Sequence, residues 1–524
     1  MLVLVYSGKT KMRPSIIALS AAILLICCHG GYGEGDEQSR MEIRKDGGRK
    51  FGAVVIALMG VTPCLSQTSA AVEGLSTNSN LARRVDRLVE ADRRELHIPG
   101  VSLAIMRGHK LVLANGYGVA DHDAGASAMA HTIYAIGSLS KQFTAAAIMK
   151  LYEQNRLLLD EPVSKYLPEY QEGRTSVPTI RNLLQQNSGL PAWADLPEFQ
   201  DFDTGDRRRF ELARIVNLIA RQPTLYSPGE WWSYSNSNYT VLAAVVERVS
   251  GMQHDEFLAS AFFERLGLRS TDGCAASTRA GAAGQRAIGY QDSRSFALRP
   301  VTAVKARAFT GAGGLCSNAV DLATWMRALV DGEVVSVSSF RRMTTAVPVR
   351  AGFTPPYGFG VSLLPLAGQQ AVWHTGVLSG YTTALAYFPE HDLIISLLAN
   401  ARRGARLDQI VKDVVRALLG LPAPRLRDLL IDPREAERVA GGYDDGMFKF
   451  RIFRSGVQLF LDVPPAGAPT RLMFQGGREF ATARPTDFRL RFEPETGEVE
   501  RVVWEWADLR AYGRRVRQAN NLDC

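Results

Sequence analysis

The segment from Phe143 to Tyr152, FTAAAIMKLY, is apolar almost all the way round. A helix without a polar face belongs in the interior of a large core. Ser138-Leu139-Ser140-Lys141 opens this stretch. Residues three apart share a helix face, so Lys141 comes within reach of the Ser138 hydroxyl, which is a poor nucleophile until a base takes its proton. At a buried helix start, desolvation and the positive end of the helix dipole both disfavour an ammonium, making Lys141 a candidate neutral base. The same residues also suit a plainer arrangement, with Ser138 capping the helix and Lys141 solvated in its first turn. About one chance Ser-x-x-Lys is expected in a chain this long.

A second element lies in SPGEWWSYSNSNYTVLAAVVERVSG. Ser227-Pro228-Gly229 marks a turn and Tyr239 to Val249 a helix closed by Gly251, which places Tyr234 and Asn236 on the loop between them. A tyrosine there can relay a proton if a neighbouring cation lowers its pKa, and an asparagine can hold a lysine and a substrate carbonyl. Alternatively this is a polar loop in which Asn236 or Asn238 caps the helix. The third element, Trp373-His374-Thr375-Gly376, leads into alternating and β-branched residues bounded by Gly, Pro and Asp. This pattern predicts consecutive antiparallel strands with His374 near a strand edge, where an unpaired backbone N–H can serve a developing oxyanion. A lone histidine at a strand end is also a common structural residue.

The ordered triplet resembles the penicillin-recognising serine hydrolases, in the branch containing class C β-lactamases, DD-peptidases and esterases of the β-lactamase fold. The resemblance covers residues 80 to 420 and includes Gly137, LLQQNSGLP at 183 to 191 and GAGGLCSNAVDLATWM at 311 to 326. It implies Ser138 as acylated nucleophile, Lys141 as its base, Tyr234 as proton relay and Asn236 as positioning amide. It further implies roles for His374, Thr375 and Gly376 at the substrate, and an oxyanion hole from the backbone N–H groups of Ser138 and Val377. β-Lactamases of this branch usually carry lysine where this chain has His374, and imidazole is a weaker carboxylate anchor than an ammonium. The departure favours esters, amides or peptides over β-lactams. β-Lactamase or DD-peptidase activity proper, and a penicillin-recognising sensor with little turnover, are the alternatives.

Composition is compatible with this reading. A chain of 524 residues with 46% apolar content can bury a large core, and its length suggests two or three domains. The net charge of +8 is modest and forms no basic nucleic-acid face. Cys27, Cys28 and Cys64 lie in the N-terminal region, and Cys274, Cys316 and Cys524 are too widely spaced to suggest a disulfide framework. No Cys/His cluster has zinc-ligand spacing, so neither metal nor cofactor is expected. The expected partner is a small ester, amide or peptide; the sequence does not fix the oligomeric state.

Leu81 to Leu96 reads as a helix and the following segment as a hairpin turning at Gly108; helices are expected at 209 to 221, 239 to 250, 253 to 266, 319 to 331 and 407 to 419. This is an α+β pattern, a β-lactamase/transpeptidase-like antiparallel sheet whose terminal strands come from both ends of the domain, with a helical insert between. Leu421-Pro422-Ala423-Pro424 links to residues 425 to 524, where Phe448, Phe450 and Ile452, and later Phe488, Leu490 and Phe492, alternate with basic residues. That segment reads as a small β domain, lipocalin-like in resemblance, whose default role is structural, as a cap on the preceding domain, with substrate or cell-wall contact as the alternative.

Residues 1 to 71 read as a targeting region. The apolar runs from Ile16 to Cys28 and from Phe51 to Val61 each fit a signal-peptide core, and basic residues after Met41 lead into the second. The layout suggests translation from Met41, export to a bacterial periplasm or envelope, and no stable membrane span after processing. The first residue of the exported protein is then expected between Val72 and Ser79. Intact mass of envelope material checks this, and a retained Met1 or a lipid-modified cysteine would contradict it.

Overall fold

The computed structural model describes residues 79–170, 176–193, 196, 211–274, 285–292, 298–301, 309–401, 407–423, 425–445, 449–463, 469–482 and 488–516. The targeting region, with Cys27, Cys28 and Cys64, lies outside the described residues, as does Cys524.

Helix α1 (Ser79–Glu95) turns Val85 and Val89 inward and its charged residues outward. The hairpin of β1 (Gly100–Arg107) and β2 (Lys110–Asp121) follows, reversing at Gly108 with φ +56°, and the short β3 (Ala126–Ser127) continues it. The helical insert contains α2 (Ser140–Glu153), α3 (Asn236–Ser250) and α4 (Ala319–Val330). The chain then returns through β4 (Val372–Leu378), β5 (Tyr381–Phe388) and β6 (Leu393–Ala399), and α5 (Leu407–Leu419) packs beside α1.

These six strands form one antiparallel sheet in the order β3-β2-β1-β6-β5-β4. Its centre joins the two ends of the domain, with Ala104 of β1 opposite Ser396 of β6. Strands β5 (YTTALAYF) and β6 (LIISLLA) are buried at every position because apolar layers cover both faces. One layer, built around α2, α3 and α4, includes Phe143, Ile148, Leu242 and Trp325; the other, under α1 and α5, includes Val89, Ile395 and Val411. Strand β4 is an edge, so its backbone is available to neighbours outside the sheet.

Beyond the linker, eight antiparallel strands close into a barrel: β7 (Gly441–Asp444), β8 (Lys449–Ser455), β9 (Gln458–Asp462), β10 (Thr470–Gly476), β11 (Glu479–Thr482), β12 (Arg489–Glu493), β13 (Arg501–Trp506) and β14 (Leu509–Val516). Pairing of Tyr443 with Arg515 closes it, removing the unpaired edge that an open sheet of this size would present. Along β8 the alternation puts Phe450 and Ile452 inside and Lys449 and Arg451 outside. Trp232, Val349 and Tyr357, from the portion of the chain before the linker, join the same apolar cluster as Phe450, Phe480 and Trp504. Phe353 lies against Tyr512 with ring centroids 3.8 Å apart, and the Arg514 guanidinium sits 4.2 Å from the Trp231 ring.

One sequence expectation is corrected here. Cys274 and Cys316 form a disulfide across 42 residues. Two short paired strands, Asp272–Gly273 and Leu315–Ser317, set Asp272 opposite Cys316 and bring the half-cystines together. Spacing along the chain could not reveal a contact made by this pairing. Replacing both cysteines by alanine should lower stability by about 2–4 kcal/mol through loss of the cross-link. Denaturant unfolding of the variant beside the oxidised protein measures the loss.

Candidate active site

Ser138 lies in a 3₁₀ turn, Gly137–Leu139, that runs directly into α2. The turn packs against edge strand β4 closely enough to require glycine on both sides. A Cβ on Gly376 would stand 1.9 Å from the Ile136 carbonyl oxygen, and one on Gly137, where φ is +53°, would stand 2.8 Å from the Val377 nitrogen. Thr383 of β5 ties the turn down by donating its hydroxyl to the Ile136 carbonyl at 2.8 Å. The serine turn is thereby pressed against Val377, with Ser138 itself only partly buried.

Lys141 is fully buried. Its Nζ is 3.0 Å from Ser138 Oγ, 2.7 Å from Asn236 Oδ1 and 2.8 Å from the Ala312 carbonyl oxygen. A neutral amine has two N–H groups and one lone pair. Asn236 and Ala312 are acceptors that can take both hydrogens, leaving the lone pair for the Ser138 hydroxyl. Burial pushes the Lys141 pKa well below the usual lysine range, partly opposed by the negative charge of Asp508.

Tyr234 lies on the loop and Asn236, expected on it too, is the first residue of α3; the QQNSG segment holds both elements. Gln186, in a left-handed conformation with φ 61°, accepts the Ser235 N–H on Oε1 at 3.0 Å and also accepts the Asn238 side-chain amide. Ser235 caps α3 through the Ser237 N–H. In the GAGG segment, Ala312 binds Lys141 while Gly311 accepts the Thr144 hydroxyl at 2.8 Å. Ser140, fully buried, accepts the Leu315 N–H and so has a structural partner of its own.

The Tyr234 ring centroid is 4.8 Å from Lys141 Nζ. Burial is the main influence on the phenol, raising its pKa far above the ordinary value; the nearby Ser138 hydroxyl opposes this and the Asp508 charge adds to it. The expected lowering by a neighbouring cation is therefore not found. With Lys141 favoured as an amine, Tyr234 stays a phenol.

His374 is 2% exposed, with Nε2 3.0 Å from the Tyr357 hydroxyl and Nδ1 2.9 Å from Asp508 Oδ2. Nδ1 also lies 2.6 Å from the Thr375 carbonyl oxygen, which can only accept, so these contacts suit a tautomer protonated on Nδ1 that donates to Thr375 with Asp508 alongside, while Nε2 accepts from Tyr357. Asp508 sits at the tip of the β13–β14 hairpin, yet it is 3% exposed. Thr375 donates its backbone N–H to Oδ2 at 2.8 Å and its hydroxyl to Oδ1 at 2.6 Å. Burial works to raise the Asp508 carboxyl, but the neighbouring His374 ring and the two hydrogen bonds from Thr375 hold it below the usual aspartate value.

The structure thus gathers Ser138, Lys141, Tyr234, Asn236, His374, Thr375, Gly376 and Val377 around one point. It adds two residues that sequence reasoning missed, Tyr357 and Asp508. The sequence signal at Asp508 is an aspartate in a tight hairpin turn, which any turn can have. Its neighbour Ala507 adopts φ 52°, an uncommon conformation for a residue with a Cβ. The barrel expected to be a structural appendage reaches into the site.

The Beta-lactamase family model matches residues 85–420, more than half of the chain. The chain belongs to the Beta-lactamase family. It is 25% identical over 405 residues to the putative penicillin-binding protein PbpX of Bacillus subtilis, covering 70% of this chain and 95% of that protein. Among solved structures, the octameric penicillin-binding protein homologue from Pyrococcus abyssi aligns with a TM-score of 0.59 at 24% identity, covering 82% of this chain and 99% of the other. The D-stereospecific amidohydrolase from Streptomyces sp. aligns with a TM-score of 0.54 at 24% identity, covering 65% and 99%. The β-lactamase/transpeptidase-like fold accounts for the sheet and its helical insert, with the barrel added behind them.

Because a depressed lysine pKa makes the amine available above that value, phosphonylation of the protein by a fluorophosphonate, in which serine displaces fluoride from phosphorus, should slow as pH falls and Lys141 takes up a proton. Lys141→Met should reduce the phosphonylation rate by about 10²–10⁴-fold while the variant still melts cooperatively. An unchanged rate would remove Lys141 from the role of base.

Proposed function

We propose that this protein is a serine hydrolase that cleaves small esters, amides or peptides through an acyl-enzyme on Ser138. The observation carrying the proposal is the buried Lys141 amine, 3.0 Å from Ser138 Oγ with two further acceptors for its hydrogens. Attack forms the bond between Ser138 Oγ and the substrate carbonyl carbon as Lys141 Nζ takes the hydroxyl proton. The developing oxyanion is met by the N–H groups of Ser138 and Val377. The Tyr234 phenol then donates its proton to the leaving group and recovers one from Lys141 as the carbonyl–leaving-group bond breaks. Water, activated by the same Tyr234 and Lys141, releases the acid in the second half of the cycle. The Streptomyces protein that shares this fold is a D-stereospecific amidohydrolase, a chemistry within the same class.

A sensor that turned over poorly would have little need of serine, lysine, tyrosine and asparagine assembled together, so the hydrolase is the favoured reading. We further propose that the protein acts after export, on the basis of the apolar runs behind basic residues at its N-terminus.

Ser138→Ala should lower ester turnover by several orders of magnitude, leaving weak residual catalysis from binding and the oxyanion hole. Ser140→Ala should instead lose the buried hydrogen bond to Leu315, costing about 1–3 kcal/mol of stability, and retain turnover. Mapping the fluorophosphonate adduct decides between the two serines. An adduct on any residue other than Ser138 overturns the assignment.

A further inference from the structure

Two donors and an imidazole converge at the edge of β4 next to the candidate nucleophile: the Thr375 backbone N–H and hydroxyl, both donated to Asp508, and the His374 ring, whose Nδ1 lies 2.9 Å from the same carboxylate and 2.6 Å from the Thr375 carbonyl oxygen. A backbone N–H, a hydroxyl and an imidazole aimed at one point make an anion cradle. An ordinary active-site cradle would be left open to solvent for the substrate. Here its occupant belongs to the same chain. The two carboxylate oxygens of Asp508 take all three contacts, and the residue is nearly inaccessible.

The placement of this carboxylate has the marks of a built site. The β13–β14 hairpin turns through Ala507 at positive φ to deliver Asp508, and strain of that kind persists where surrounding structure enforces it. The enforcing structure is the packing of the barrel on the catalytic portion: Trp504 with Trp232 and Tyr357, and Tyr512 against Phe353. Asp508 also lies near enough to Lys141 and Tyr234 for its charge to act on both.

We propose that Asp508 is a specificity-determining residue that fills the anion cradle of the active site as an internal carboxylate, so that the enzyme acts on neutral substrates and rejects those bearing a carboxylate beside the scissile bond. The proposal rests on the hydrolase reading above and names the substrate class within it. A carboxylate-bearing substrate would meet a cradle already occupied and would place its charge beside that of Asp508. Both effects oppose binding: the first removes the hydrogen bonds a carboxylate needs to replace its lost hydration, and the second is like-charge repulsion. A neutral ester loses nothing by either.

The test uses two aryl esters that share an acetyl group and differ in one substituent, 3-acetoxybenzamide and 3-acetoxybenzoate, with the full chain as enzyme. The wild type should show a kcat/KM for the benzamide at least tenfold above that for the benzoate. Asp508→Ala empties the cradle and should shift this ratio toward the benzoate by tenfold or more, with added acetate reversing the shift by competing for the vacated donors. Asp508→Asn removes the charge but keeps the cradle filled, and should shift the ratio by a few-fold at most.

Equal shifts in the alanine and asparagine variants would mean that Asp508 acts by charge alone and would overturn the cradle. So would a wild type that hydrolyses both esters alike, a result that needs no variant to fold. If neither ester is cleaved and no adduct forms on Ser138, the hydrolase reading fails and this inference with it. If the benzamide is cleaved through Ser138 and the ratio does not move in Asp508→Ala, the hydrolase stands and only the inference falls.

Discussion

The amine of Lys141 is the point on which the site depends. A lysine with no exposed surface is unfavourable as a charge, because an ammonium loses its hydration and regains little of it in an apolar core. As an amine it needs only acceptors for its hydrogens and a donor for its lone pair, and three separate stretches of chain supply them. Ser138 comes from the turn before α2, Asn236 from the start of α3, and the Ala312 carbonyl from the glycine-rich segment before α4. Each of these stretches is fixed by the packing of the helix it adjoins. The large core around Phe143, Tyr239 and Trp325 therefore both houses the helices and sets the protonation preference of the base.

The second constraint is the approach of the serine turn to edge strand β4. Glycine at 137 and 376 permits a separation that a side chain on either would prevent. This approach also explains why Ser138 sits beside an edge strand: a central strand would have committed its backbone to neighbours on both sides. Thr383, on the adjacent strand, reaches across to the carbonyl of Ile136 and holds the two surfaces in register.

The parts legible in the sequence were those encoded locally. FTAAAIMKLY announces a buried helix by composition alone, the residues after His374 consecutive antiparallel strands, and the alternation at Phe450 and Ile452 a strand with one wet side. The three short elements bearing Ser138, Tyr234 and His374 carry their chemistry in residue type and order, and the fold brings them together. What the sequence concealed depends on pairing between distant segments. The Cys274–Cys316 disulfide follows from two short strands meeting across 42 residues. Tyr357 is one aromatic among 16 tyrosines until the barrel packs on it. Asp508 is an ordinary turn aspartate until the docked barrel carries it to Thr375 and His374. The direction of the Tyr234 shift is concealed for the same reason, since it depends on burial and on a carboxylate from another part of the chain.

Asp508 also links the two halves of the protein electrostatically. Its negative charge raises the pKa of Lys141 against the larger effect of burial, and raises that of Tyr234 in the same direction as burial. The two effects have different consequences. For Lys141 they moderate the desolvation, making the amine a stronger base than burial alone would leave it. For Tyr234 they reinforce the neutral phenol, which keeps a proton in position to be given to a leaving group. The carboxylate can exert this influence because it is held ionised by His374 and Thr375 despite its burial. The barrel, which as a fold could be a passive cover, thus places one fixed charge where it acts on both the base and the proton donor.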